Sequence, residues 1–182
     1  VPTSITLALV GASSGAGFAG GHPQWHLVLR VLGIAILSPL VAFAISRTIY
    51  LLFQSRTPQS STTMVFLGFL LTCIAYGSND GQKMIALFGT AMGVDLGTAT
   101  HSAAITAIVA ATFLTGVLTG MPKGAAALQR GTIVPDSRQI WVTLWAASAA
   151  VLVSSALGSP VSMTQSISGA LIGTCQTNDW RK

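Results

Sequence analysis

The chain has 182 residues, 51% hydrophobic and only 7% charged, with a mean hydropathy of +0.69. A soluble globular domain carries about 25% charged residues, so a water-facing fold of this composition would leave large apolar patches uncovered, and an α-helical membrane protein is the direct reading. The net charge of +5, nine Lys or Arg against four Asp, sits mostly between apolar runs, as the positive-inside rule expects; without a basic cluster or an aromatic series, nucleic acid is not a partner.

Val1 opens inside an apolar, Gly-rich stretch without an initiator Met, and TNDWRK at 177–182 stops where a new segment would begin, so the chain reads as cut at both ends. Residues 1–19 are apolar, small and hydroxyl-bearing, and GGHPQWH at 20–26 is a turn-rich loop with an interfacial Trp25. Leu27 to Ser46 is a spanning candidate in which Arg30 and Arg47 can snorkel and Pro39 should kink the helix. QSRTPQSST at 54–62 is a polar loop, and 63–93 is too long for one plain span. His101 to Gly120 and Ile140 to Leu157 are two further plain spans, separated by a polar connection over 121–139. Residues 159–175 are apolar but short, as a re-entrant or broken segment would be. If 63–93 and 102–120 each cross once, Arg56 shares one side with Lys123, Arg130 and Arg138, and that side is cytoplasmic.

Several residues carry no functional weight. Cys73 and Cys175 lack any metal or disulfide spacing and read as small buried residues. His22 and His26 have a His-x3-His spacing, but Pro23 between them points to an interfacial loop. Asp95, His101 and Asp179 read as loop residues or helix starts. With no nucleophile–base pair, HExxH or P-loop, the chain is not expected to be an enzyme or to hold a cofactor or metal.

A repeat is visible. VPTSITLALVGASSGAG at 1–17 and SPVSMTQSISGALIGTC at 159–175 share Pro, Ser and Thr two positions apart and continue into small-residue helix. Hydroxyl-rich, proline-led segments in both halves point to a transporter built on repeats; chance similarity among small residues is the other reading.

Between apolar flanks lies AYGSNDGQKMIALFG at 75–89. A central Asp or Lys in lipid costs about 2.5–3.5 kcal/mol on translocon scales. Asp80 and Lys83, three apart, share a helix face, so one reading is a buried ion pair that locks helices together. The other is a joint at 77–80 between half-helices Val65–Tyr76 and Gly81–Met92, since Gly77-Ser78-Asn79 reads as a helix stop followed by a helix start. Free carbonyls and Asp80 at such a joint, with Ser78 and Asn79, would hold a cation, and the amides of Gly81, Gln82 and Lys83 would face an anion, with the Lys83 ammonium beside them. Ser159-Pro160 reads as another helix start, with Ser162, Thr164 and Gln165 in its first turn, and Pro2, Ser4 and Thr6 repeat it.

GSNDGQK resembles a signature of the inorganic phosphate transporter (PiT) family, GSPVSMTQ resembles that family's second-half hydroxyl segment, and VPTSITLALVGASSGAG is similar to the first-half counterpart. The resemblance implies an all-α polytopic membrane protein with inverted repeats, broken helices and re-entrant segments: a secondary symporter of inorganic phosphate in the plasma membrane, coupled to sodium or protons. It implies the end of a first repeat and a connecting helix over 1–53, the loop 54–62, and a second repeat over 63–182. Phosphate would fall to Ser4, Thr6, Gly81, Gln82, Lys83, Ser162 and Thr164, and the coupling cation to Ser78, Asn79, Asp80 and Gln165. Met163 stands where the family has Thr and Gln165 where it has His, which removes one hydroxyl and one titratable group. The first half's own Asn-Asp segment is expected upstream of Val1, so this chain would supply about half of the site. Its expected partners are phosphate, membrane lipid, the transporter's N-terminal half and a second copy in a homodimer. A non-transporting membrane subunit and a carrier of another oxyanion such as sulfate are the alternatives.

Overall fold

The computed structural model describes residues 5–21, 25–53, 62–128, 136–159 and 161–175; for Ile5, Leu27, Leu96, Ala99, Thr100, Val117 and 120–128 it describes the backbone alone. The described residues form seven helices and no strand: α1 (Ile5–Ala19), α2 (Trp25–Leu52), α3 (Thr62–Ala91), α4 (Leu96–His101), α5 (Ala103–Leu128), α6 (Ser137–Ala156) and α7 (Met163–Thr174). Among the described residues, three stretches are long and apolar enough to cross a membrane: Val28–Leu52, Thr62–Ala91 and Ser137–Ala156.

Several expectations change. α3 runs unbroken through 77–80, so there are no half-helices Val65–Tyr76 and Gly81–Met92 and no unwound joint. Gly77 and Gly81 each cost about 1 kcal/mol in a helix interior. Unwinding would cost more, because backbone groups freed in lipid lose their partners, and Asn79, Asp80 and Lys83 find partners without it. Pro39 lies inside α2, where a proline bends a helix without ending it. The segment read as a loop from Met121 begins as helix, α5 continuing to Leu128. Cys73 is exposed on the outer side of α3, and only Cys175 is buried. Residues 129–135 of the polar connection, Arg56 and His22 lie outside the described residues, as do the side chain of Lys123 and the C-terminal Asp179, while 136–139 form the cap and first turn of α6.

Contacts divide the chain into two units, Val1–Asn79 with Pro135–Lys182, and Asp80–Val134. In the first, α2, α6 and α7 pack together around Ala42, Ala146, Ala147, Ala150 and Ala170. This core is small-residue packing: a Cβ at Gly169 would lie 2.9 Å from the Pro39 carbonyl carbon, and one at Gly173 only 2.6 Å from the Phe43 oxygen. Close backbone approach of this kind drives helix association where lipid removes the hydrophobic incentive. α6 starts on a capping box, in which Asp136 accepts from the Gln139 N–H and the Gln139 side chain accepts from the Asp136 N–H. It stops at Gly158, whose φ of 67° is the left-handed helix-ending conformation. The second unit packs Met84, Ile85 and Phe88 against Ile105, Val109 and Phe113.

Candidate functional site

The start of α7 is fixed from three directions. Asn79 is fully buried; its Nδ2 donates to the Val161 carbonyl at 2.9 Å, and its Oδ1 accepts from the Val161 N–H at 2.9 Å. Its amide thus engages both backbone groups of a residue that precedes the first turn of α7. Buried Thr6, in the first turn of α1, donates its hydroxyl to the same carbonyl at 3.3 Å. One backbone group therefore gathers segments from the beginning, middle and end of the chain.

The helix α7 begins at Met163 with Ser162 as its N-cap, three residues later than Ser159-Pro160 predicts. Ser159 is buried in the preceding turn, and the Ser162 hydroxyl makes no capping bond. The next turn holds a hydroxyl chain. Ser166 donates to the Ser162 carbonyl at 3.2 Å, and Ser38 of α2 stands 2.6 Å from the Ser166 oxygen. With the Ser166 proton already engaged, Ser38 is the donor. Residues 38 and 166 escaped sequence reasoning, although Ser166 follows Ser162 at one helical turn, the spacing that joins such hydroxyls to preceding carbonyls.

The other end of α7 is held as firmly. The Arg47 guanidinium donates to the Cys175 carbonyl at 3.3 Å and the Gln139 amide to the Thr174 carbonyl at 3.4 Å. A cation at a helix C-terminus complements the dipole, so Arg47 caps α7 where the sequence suggested a headgroup contact.

Beside the hydroxyls lies a groove of about 830 Å³ between α1, α2 and α7. Leu7, Ile36, Leu40 and Phe43 make its walls, and Thr164 and Gln165 its polar edge. Thr164 is exposed, and the buried Gln165 Oε1 has no hydrogen-bond partner among the described residues. The described lining side chains are all neutral and have nothing to balance a dianion.

In the second unit, Lys83 Nζ donates to Asp80 Oδ1 at 2.8 Å, with side chains 4% and 15% exposed. This is the predicted pairing on one helix face. The predicted use of the amides of Gly81, Gln82 and Lys83 for phosphate is corrected: in an unbroken helix they bond to the carbonyls of 77–79. The carbonyls that were to hold a cation around Ser78 and Asn79 are engaged within the helix in the same way. Gln82 is exposed and Ser78 half-buried. Ser4 and Pro160 lie outside the described residues. Asp95 is a helix-start residue, accepting from the Thr98 N–H at 3.0 Å and the Thr98 hydroxyl at 2.5 Å. The Thr98 hydroxyl first, then its backbone N–H, holds the Asp95 carboxyl below the usual aspartate range. Comparison with known protein families, characterised proteins and solved structures finds no match to this chain.

Proposed function

We propose that the chain belongs to a multi-pass secondary transporter that carries inorganic phosphate with sodium or protons across the plasma membrane. The single observation that supports this most is the meeting of Thr6, Asn79 and Val161. These residues come from the three segments on which the family resemblance rests, and nothing in their sequence separation requires them to meet. The ion pair of α3 adds to it, because ionisable side chains within apolar spans are rare and mark ion and substrate paths. With the backbone of α3 engaged, the working groups are side chains: Asp80 for the cation and Lys83 for the phosphate oxygens, each available when their mutual bond opens. The hydroxyls of Ser162 and Thr164 remain candidate phosphate donors, that of Thr6 becomes one only when its bond to the Val161 carbonyl opens, and Gln165 is a ligand for the cation.

The test is radiolabelled phosphate uptake by the full-length protein in vesicles. Asp80→Asn should abolish uptake while membrane insertion stays normal, and wild-type uptake by that variant would sink the assignment. Replacing sodium at two pH values identifies the coupling ion, and competition by sulfate identifies a different oxyanion carrier. A second reading, a non-transporting membrane subunit, draws on the closed 2.8 Å contact between Asp80 and Lys83. It expects Asp80→Asn with Lys83→Met to leave every property of the protein unchanged.

A further inference from the structure

The groove between α1, α2 and α7 has a cation at one end. Ile36, Leu40 and Phe43 line it from α2, all of them exposed, and Arg47 follows Phe43 by one turn, so the four residues share one face of the helix. On the facing wall, exposed Ile172 of α7 is followed one turn later by Cys175, whose carbonyl accepts from the Arg47 guanidinium at 3.3 Å. Both walls therefore lead to Arg47. The cap on α7 uses one of the five guanidinium N–H donors. Arg47 is half-buried, and no carboxylate is paired with it among the described residues.

Depth fixes the class of occupant. From Ile36 to Arg47 the helix rises about 16 Å, which is about half of a ~30 Å hydrocarbon core and so the reach of one leaflet's acyl chains. The apolar span ends at Leu52, little more than a turn beyond Arg47, so the guanidinium lies within snorkelling reach of the headgroups. The charge pattern of the sequence puts this end of α2 on the cytoplasmic side, where anionic lipids are concentrated. An apolar helix would fill the same walls but leave the Arg47 charge without a counterion.

We propose that this groove binds one anionic glycerophospholipid, its phosphodiester on the Arg47 guanidinium and an acyl chain along Ile172, Phe43, Leu40 and Ile36. Charge complementarity selects the headgroup, and the neutral apolar walls select the chain. Inorganic phosphate meets only the first requirement. A zwitterionic lipid meets the second, but brings its own cation to the phosphodiester. The inference rests on the groove and Arg47 and not on phosphate transport, so a failed uptake assay leaves it standing.

Lipid titration tests it. Dioleoylphosphatidylglycerol or dioleoylphosphatidylcholine is added to the full-length protein in detergent micelles, and the rise of the unfolding midpoint gives an apparent affinity for each. The phosphatidylglycerol should bind about fivefold tighter, the worth of one basic residue at an anionic surface. Equal affinities overturn the proposal. Arg47→Gln, which keeps side-chain N–H donors for the Cys175 carbonyl, should erase the preference, and a preference that survives in it overturns the proposal. Leu40→Trp leaves Arg47 in place and fills the groove from an exposed wall position, so both lipids should bind more weakly. Unchanged binding there places the chain elsewhere and also overturns the proposal. Loss of the phosphatidylglycerol shift on adding inorganic phosphate at equal concentration would assign Arg47 to the free ion and overturn the lipid site.

Discussion

On α3, Asn79 reaches 82 positions along the chain to bond both backbone groups of Val161, whereas Asp80 beside it closes on Lys83, three residues ahead on its own helix. The second pattern recurs at each described aspartate: Asp95 closes on Thr98 and Asp136 on Gln139, again three residues ahead. Buried or terminal polar groups are satisfied in both patterns, as they must be where water is scarce. What differs is what the bond fixes. A local closure holds one turn of helix, while the Asn79 amide holds the start of α7 against the middle of α3. Removing a local partner should therefore cost energy without disturbing the rest of the fold, and removing Asn79 should release a second element.

The largest effect belongs to the ion pair. Asp80→Ala leaves the Lys83 ammonium buried without its carboxylate and should destabilise the protein by about 3 kcal/mol. Asp80→Asn with Lys83→Met removes both charges and should cost less than about 1 kcal/mol. Equilibrium unfolding of the two variants in bicelles measures the difference. Equal costs would show that the pair's neighbours, and not its charges, set the stability.

Asn79→Ala comes next, at about 1–3 kcal/mol, because it strands the buried Val161 N–H and leaves the Val161 carbonyl with Thr6. Its signature sharpens the contrast more than its size does. Amide exchange should quicken at Val161 and through the first turn of α7 in Asn79→Ala, and stay unchanged there in Asp80→Ala. Faster exchange at α7 in both variants would erase the distinction between the clamp and the pair.

The same contrast explains what could be read from the sequence. Three-residue spacing on a helix brings side chains together whatever the fold, so the Asp80–Lys83 pair was predictable from position alone. The places of α2 and α6 followed from apolar runs of spanning length, whereas α3 was divided in two. The Asn79–Val161 clamp was not legible, because one partner is a backbone group and Val161 itself carries no polar signal. Missing that partner produced the false joint at 77–80: an Asn flanked by Gly and Ser reads as a helix start until its amide is known to be engaged elsewhere. The start of α7 slipped for a related reason. Ser-Pro is a strong local signal for a helix start, but Asn79 engages both backbone groups of Val161 and Ser162 is the extended N-cap, so helical turns begin only after Ser162.

The smallest effect is at Asp95, which is exposed and local in every contact described for it. Its carboxyl is held below the usual aspartate range by the Thr98 hydroxyl and N–H, so the ionised form is favoured by the folded state. The contribution is present in full above the unfolded value of about 4 and is lost as pH falls through the lower folded value. The start of α4 should therefore loosen only in acid, seen as a drop in the protection factor of the Thr98 amide below about pH 4. Asp95→Asn keeps an oxygen in place to accept the Thr98 N–H but cannot titrate, so its protection should be flat over the same range. Because the closure is local, protection at Val161 should not follow that of Thr98 in either protein; if it does, Asp95 belongs with Asn79 among the residues that hold distant parts of the chain together.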